Sequence, residues 1–184
     1  MAKRQLPSPE TLRQLLRYEP ETGKLFWRER GPEWFKGGQS LGDAKKTWNK
    51  RFSGKEAFTA VCGSGYHHGT VFGSFLMAHR VSWAVYYGRW PDNEIDHINC
   101  NKLDNRICNL REATRSENQR NTRVHKDSKS GVKGVYYYPP TKRWVEKIRV
   151  NGVNTHIGYF ETMELARDAY RDADKRFNGE FANG

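Results

Sequence analysis

Asp96 and His97 stand side by side, and amide side chains recur behind them at Asn105, Asn109 and Asn118. A carboxylate can hold a cation and an imidazole can move a proton, while asparagines supply neutral oxygens and the hydrogen bonds that order turns. Hydrolysis of a phosphodiester needs both capacities: a general base for water and a cation for the charge that builds on phosphate. On an extended strand adjacent side chains point to opposite sides, but a twist or bulge at the strand end brings both toward one cleft. The carboxylate of Asp96 and the amide oxygen of Asn118, completed by water and phosphate oxygens, suit Mg2+ or Mn2+ rather than zinc. Taken singly, each residue has a plainer reading, as a helix cap, a surface pair or a turn residue. The set at this spacing carries the chemistry.

The 184 residues hold 32 Lys plus Arg against 21 Asp plus Glu, a formal charge of +11. The basic residues are interleaved with Trp, Tyr, Gly and Asn, which points to nucleic acid as the polyanionic partner. No basic amphipathic helix with a broad apolar face is evident, which argues against a membrane surface. The absence of a spanning apolar run, and of an apolar core in "MAKRQLPSPE", predicts a cytoplasmic protein. Cys62, Cys100 and Cys108 form no C-x2-C pair, so reduced thiols are expected, with neither disulfides nor a structural zinc.

The elements that must position the pair are partly legible. "SPETLRQLLRYEP" predicts a helix capped by Ser8, with Leu12, Leu15 and Leu16 on one face and Pro20 as its stop. "ETGKLFW" turns through Gly23 into a strand, and Gly31 to Gly73 reads as a small irregular sheet with runs such as "AFTAVC" and "GTVFGSF". "AHRVSWAVYYG" predicts a helix ending on Gly88 that delivers the chain to Asp96. "REATRSENQRN" predicts another, with Thr114 and Glu117 forming a capping box. Beyond the polar linker "TRVHKDSKS", three strands ("KGVYYY", "RWVEKIRV", "NTHIGYF") precede a helix from Glu161 to Asn178. Leu165, Ala166, Ala169, Tyr170 and Ala173 form its core face.

The stretch "AHRVSWAVYYGRWPDNEIDHINCNKLDNRICNLREATRSENQRN" resembles the HNH endonuclease family, in the His-Asn-Asn branch of phage and homing endonucleases. The opening "YEPETGKLFW" is similar to openings that precede the motif in phage relatives. The resemblance implies a ribbon of two strands and a helix around one divalent metal, Mg2+ or Mn2+. His97 would be the general base, with Asp96 and Asn118 as metal ligands. Asn109 would pin the loop between the strands through its side chain, and Asn105 would help order it. Cys100 stands where relatives often have glycine. Arg106, Arg111, Arg115 and Arg120 are candidate phosphate contacts, with solvated surface as the alternative. His79 is open between lining the cleft, touching phosphate and packing its helix. His67 and His68 read as surface residues or phosphate contacts.

"SGVKGVYYYPPTKRWVEKIRVNGVNTHIGYFETMELARDAYRDADKRFNG" resembles the plant apetala-type, or ethylene-response-factor, DNA-binding domain. That family packs a three-stranded antiparallel sheet on one helix and reads the major groove with the sheet. Carried over by position, Tyr136, Tyr138, Lys147, Arg149, Asn154 and His156 would face DNA. Lys147 and Arg149 share a strand face with Val145, whose exposure should follow theirs, while Ile148 and Val150 point to the helix. Plant members place more Arg and Trp at these positions, so the base preference is not legible here.

The expected fold class is α+β: a ββα-metal nuclease core, a small N-terminal irregular sheet, and a C-terminal three-stranded sheet on one helix. The expected domains are a supporting or DNA-contacting region (1–75), the nuclease core (76–121), a linker (122–130) and a DNA reader (131–184). The expected function is a site-directed, homing-type DNA endonuclease, nicking by default, in the cytoplasm of a phage-infected bacterial cell. Double-stranded DNA is the partner; no protein partner is required, although phage-encoded ones are compatible. The alternatives are a DNA-binding regulator with an inactive nuclease module and a non-specific nuclease.

Overall fold

A computed structural model of the chain describes residues 5–35, 41–122, 124, 127–150 and 152–183. The fold is α+β, built of several small antiparallel sheets and short helices. It divides into two compact units, 1–112 and 113–184.

In the first unit, α1 (Pro9–Leu15) starts as the sequence predicts, with the Ser8 side chain accepting from the Thr11 amide and Pro9 in the first turn. It ends earlier than Pro20. Leu16 becomes extended and opens β1 (Leu16–Glu19), which pairs antiparallel with β2 (Lys24–Trp27), Leu16 opposite Trp27. Sheet pairing keeps Leu16 buried without the helix, so tertiary contact overrides the local pattern.

The Gly-rich region holds a helix that the sequence reading missed, α2 (Leu41–Phe52). Its run of helix-forming Lys, Ala and Arg is anchored by Trp48, which meets the Trp27 ring edge-on at 5.6 Å, while the Arg30 guanidinium lies 3.8 Å over Trp48. "AFTAVC" is divided between β3 (Glu56–Ala57), which pairs with β2, and β4 (Ala60–Val61), which pairs with β5 (His67–Val71). "GTVFGSF" forms the hairpin between β5 and β6 (Ser74–Met77). Phe72 and Gly73 turn it with φ of 50° and 74°, the positive pair that tight hairpins require.

The helix α3 (Ala78–Tyr87) ends on Gly88 in the left-handed region. Its Val81 and Ala84 join Leu12, Leu15, Leu25 and Val71 in the core of the first unit. The strands β7 (Glu94–His97) and β8 (Leu110–Ala113) form a two-stranded ribbon. Ile95 and Leu110 pack with Trp83 of α3 in a separate apolar cluster beneath it. Arg80 of α3 donates to the carbonyls of Pro91 (3.1 Å) and Asn93 (2.9 Å), fixing the chain just before β7.

The β1–β2 turn reaches the loop of this ribbon. Gly23 has φ of 73°, and a Cβ there would lie 2.5 Å from the backbone of Asn105 and Arg106, so only glycine lets the two backbones approach. The Ile107 amide donates to Pro20 O at 3.2 Å, and the Tyr18 hydroxyl donates to Asn105 O at 2.7 Å.

In the second unit, α4 (Arg115–Arg120) carries the predicted capping box between Thr114 and Glu117. Of the predicted linker, residues 123, 125 and 126 lie outside the described residues, as does Asn151 of the "NG" turn. The strands β9 (Val135–Tyr138), β10 (Arg143–Val150) and β11 (Val153–Phe160) make an antiparallel sheet with β10 in the centre. α5 (Met163–Asn178) packs on this sheet.

Two details of that packing differ from expectation. Leu165 is 54% exposed; the buried stripe of α5 is Ala166, Tyr170 and Ala173, about a hundred degrees around the helix from it. Val145 is buried although Lys147 and Arg149 on the same face are exposed, because its cross-strand partners are the large side chains Tyr136 and Tyr159. Among the described residues no helix is long and apolar enough to cross a membrane.

Glu146 is fully buried on the helix-facing side of β10, between Val135 and Gly158 on the flanking strands, and among the described residues both its carboxylate oxygens lack a hydrogen-bond partner. Burial raises its pKa from 4.5 to about 7. The ionisable groups of α5 on this side, Tyr170 and Asp174, offer no positive charge to offset it. A folded-state pKa above the unfolded value means stability present at low pH and lost as pH rises from about 4.5 to about 7. Glu146→Gln should remove that slope and leave the second unit more stable than wild type at pH 8, by on the order of 2 kcal/mol. Urea unfolding at pH 4.5, 6 and 8, followed at the α5 amides, measures it; parallel pH profiles for the two proteins would refute it. In the first unit, Gly23→Ala should destabilise by roughly 2 kcal/mol or more, since the added carbon meets backbone and the φ is unfavourable. Denaturant unfolding followed at the Asn105 amide tests this, an unshifted midpoint being the contrary result.

Candidate active site

The end of β7 presents Asp96 and His97, both 4% exposed. The His97 Nε2 lies 3.1 Å from Asn105 Oδ1. Because that oxygen can only accept, Nε2 carries the hydrogen and the neutral ring keeps its lone pair on Nδ1. Burial holds the His97 pKa below the ordinary imidazole value, against the opposing effects of Asn105 and Asp96. A neutral imidazole with a fixed tautomer is what a general base must be near pH 7.

Asp96 is held by Arg111 on β8. Both Nε and Nη2 of the guanidinium meet Oδ2 at 2.8 Å, and both partners are largely buried. The contact orients the carboxylate and offsets its charge in a place where an isolated anion would be costly.

The loop between β7 and β8 is tied by its own amides. The Asn109 side chain accepts from the Asn99 amide (2.9 Å) and donates to Asp104 O (2.7 Å), and the Ile98 amide donates to Asn109 O (2.9 Å). Asn99 and Asn101 each accept from the amide two residues on, at 2.8 and 3.2 Å. Cys100 closes a turn onto His97 O at 2.8 Å with φ of 57°. That left-handed angle is the physical reason a glycine would suit the position, and cysteine adopts it at some cost.

Other predicted residues fall in varied places. Arg106 is exposed and bound to Asp104 through Nε (2.8 Å) and Nη2 (2.6 Å), which with the Arg106 amide holds the Asp104 pKa down at about 2. In the second unit, Asn118 is half-buried on α4, Arg115 is exposed and Arg120 is half-buried on the same helix. Tyr136, Tyr138, Lys147, Arg149, Asn154 and His156 are all exposed. The register pairs Lys147 with His156 and Arg149 with Asn154, so these four side chains form one patch on the sheet face away from α5.

Two groups at the site, Tyr66 and Lys102, were not singled out from sequence, and His79 takes the packing role among its three readings. Tyr66, delivered by the turn between β4 and β5, stands 5.7 Å from the His97 ring and 4.9 Å from that of His79. His79 is buried on α3, 5.2 Å edge-on to His97, and burial pushes its pKa to about 3, so it packs as a neutral ring. Lys102 sits over Tyr66. No local pattern marks these residues; they meet only through the fold. His67 and His68 are half-buried on β5.

Asp96 and Asn118 are both hard-oxygen donors, and the described residues contain no group of three His, Cys, Asp or Glu placed to share an ion. The Asp96 carboxylate, oriented by Arg111 as neighbours orient ligands, is a donor that suits a hard cation keeping much of its own water.

Residues 76–120 match the profile of the family described as HNH endonuclease. The chain is also 30% identical, over 105 residues, to Protein 3.8 of Escherichia phage T7, a stretch covering 56% of this chain and 86% of that protein. No solved structure matches it significantly. The buried aspartate and histidine, with the amide-tied loop behind them, lie inside the matched segment, and the chain belongs to the HNH endonuclease family.

Proposed function

We propose that the chain is a site-directed DNA endonuclease of the His-Asn-Asn, homing type, nicking one strand per engagement, in the cytoplasm of a phage-infected bacterial cell. The observation that carries the reading is the buried, neutral His97 whose tautomer Asn105 fixes, beside an Asp96 oriented by Arg111. Family membership supplies the DNA substrate and the nuclease activity.

In this mechanism His97 takes a proton from water through Nδ1, and the water attacks phosphorus in line with the leaving 3′ oxygen. Asn105 holds the imidazolium that forms, accepting from Nε2 throughout. Asn109 keeps the loop behind it closed. Asp96 and Asn118 would hold Mg2+ or Mn2+, which when bound supplies positive charge to the phosphate. Products carry 5′-phosphate and 3′-hydroxyl ends.

The second unit is proposed as the reader, an apetala-type sheet. Its exposed patch of Lys147, Arg149, Asn154 and His156, flanked by Tyr136 and Tyr138, has the charge and reach for bases and phosphates. A small catalytic site that contacts phosphates cannot choose a sequence, so a linked reader raises its effective concentration at one place.

His97→Ala should lower cleavage of supercoiled DNA in magnesium by about 10³-fold while DNA binding is retained, and a chelator should abolish it. The wild-type rate should climb with pH through a pKa below 6.5 and then level, because only neutral His97 is active and burial keeps it neutral. A variant cleaving like wild type, or ends bearing 3′-phosphate, would refute the mechanism. The double variant Lys147→Ala, Arg149→Ala should bind its preferred site more weakly, with a log–log salt slope shallower by roughly 1.8 for two lost phosphate contacts. Footprints and salt titrations measure this; an unchanged slope and preference would remove the sheet from the interface.

A further inference from the structure

Three cations lie on the chain between Ile98 and Glu112: Lys102, Arg106 and Arg111. Two are bound to carboxylates, Arg106 to Asp104 and Arg111 to Asp96. Lys102 has no carboxylate partner among the described residues. Its Nζ donates to Ser64 O at 3.1 Å and lies 4.8 Å from the centroid of the Tyr66 ring, and the residue is exposed.

That place is next to the reacting groups. The Tyr66 ring, on which the ammonium rests, is itself 5.7 Å from the His97 ring. The cation is therefore one aromatic ring away from the proposed base. It is also pre-positioned. Lys102 stands in a hydrogen-bonded stretch of the loop, where the Asn101 amide donates to Asn99 Oδ1 and the Asp104 amide donates to Asn101 O at 3.0 Å. The Asn99 side chain donates to Asp104 Oδ2 at 2.7 Å.

We infer that Lys102, seated on Tyr66 and the Ser64 carbonyl, is a phosphate-binding residue that contacts a non-bridging oxygen of the DNA strand being cut. An ammonium has three donors, of which the carbonyl takes one, so two remain for an anion. A compact cation suits a single phosphate oxygen, and its attraction grows as charge accumulates in the transition state. The Tyr66 face steadies the ammonium without neutralising it, which a carboxylate would do. The inference rests on the nuclease reading above and adds the group that would hold the substrate strand.

The test uses the full chain and its Lys102→Gln, Lys102→Ala and Lys102→Arg variants. Single-turnover cleavage of duplex DNA in magnesium at saturating protein should fall about 100-fold for Gln and Ala, with thermal unfolding unshifted. Arg should recover most of the loss, because charge at that point is what matters. Salt titration of duplex binding, in calcium so that no cutting is needed, should give a slope shallower by roughly 0.9 for Gln and Ala. Unchanged rates and an unchanged slope in the Gln variant would overturn the inference while leaving the nuclease reading intact. Should wild type bind but cut nothing, that reading falls, and the slope alone then decides whether Lys102 meets phosphate.

Discussion

A buried imidazole is useful only if its orientation and its proton are both fixed, and here one hydrogen bond, from His97 Nε2 to Asn105 Oδ1, fixes them. The rest of the first unit can be read as support for that contact. Asn105 is gripped from outside its loop by the Tyr18 hydroxyl on its carbonyl, and by the close approach that only Gly23 permits. From inside, Asn109 closes the loop with three hydrogen bonds that use both its side chain and its backbone. The tilted ring of Tyr66 and the edge-on ring of His79 then leave the imidazole little room to turn.

The electrostatics of the ribbon follow from how few of its charges stand unpaired. Asp96 and Arg111 are buried together, a pair whose attraction mainly offsets the cost of removing two ions from water. Asp104 and Arg106 do the same nearer the surface, where the bond orders the loop more than it stabilises the fold. Much of the +11 formal charge therefore has to act from elsewhere, and the outward patch of β10 and β11 is one such place.

What the sequence disclosed was local, and what it hid was not. Ser8, Thr114 with Glu117, and Gly88 were legible because a cap acts within one turn of its own helix. The three C-terminal strands and their helix were legible from periodicity and turns. The early end of α1 at Leu15 and the helix at Leu41–Phe52 were not, since the first depends on pairing with Trp27 and the second on aromatic contacts made by Trp48. Leu165 looked like core because apolar character does not say which of two adjacent helix positions faces the sheet. At the site the same division holds: Asp96 and His97 were singled out by type and spacing, whereas Tyr66 and Lys102 meet only because folding brings their segments together.

The grip of the N-terminal hairpin on the loop between β7 and β8 bears on how such a protein can be inherited or rebuilt. Residues 76–120 carry the family profile, yet Tyr18, Pro20, Gly23 and Tyr66, which wall and brace that segment, all precede it. The motif is thus not a cassette. Exchange between related genes, or a graft onto another scaffold, would preserve the geometry of the site only if the crossover fell upstream of Tyr18 and carried the brace along with it.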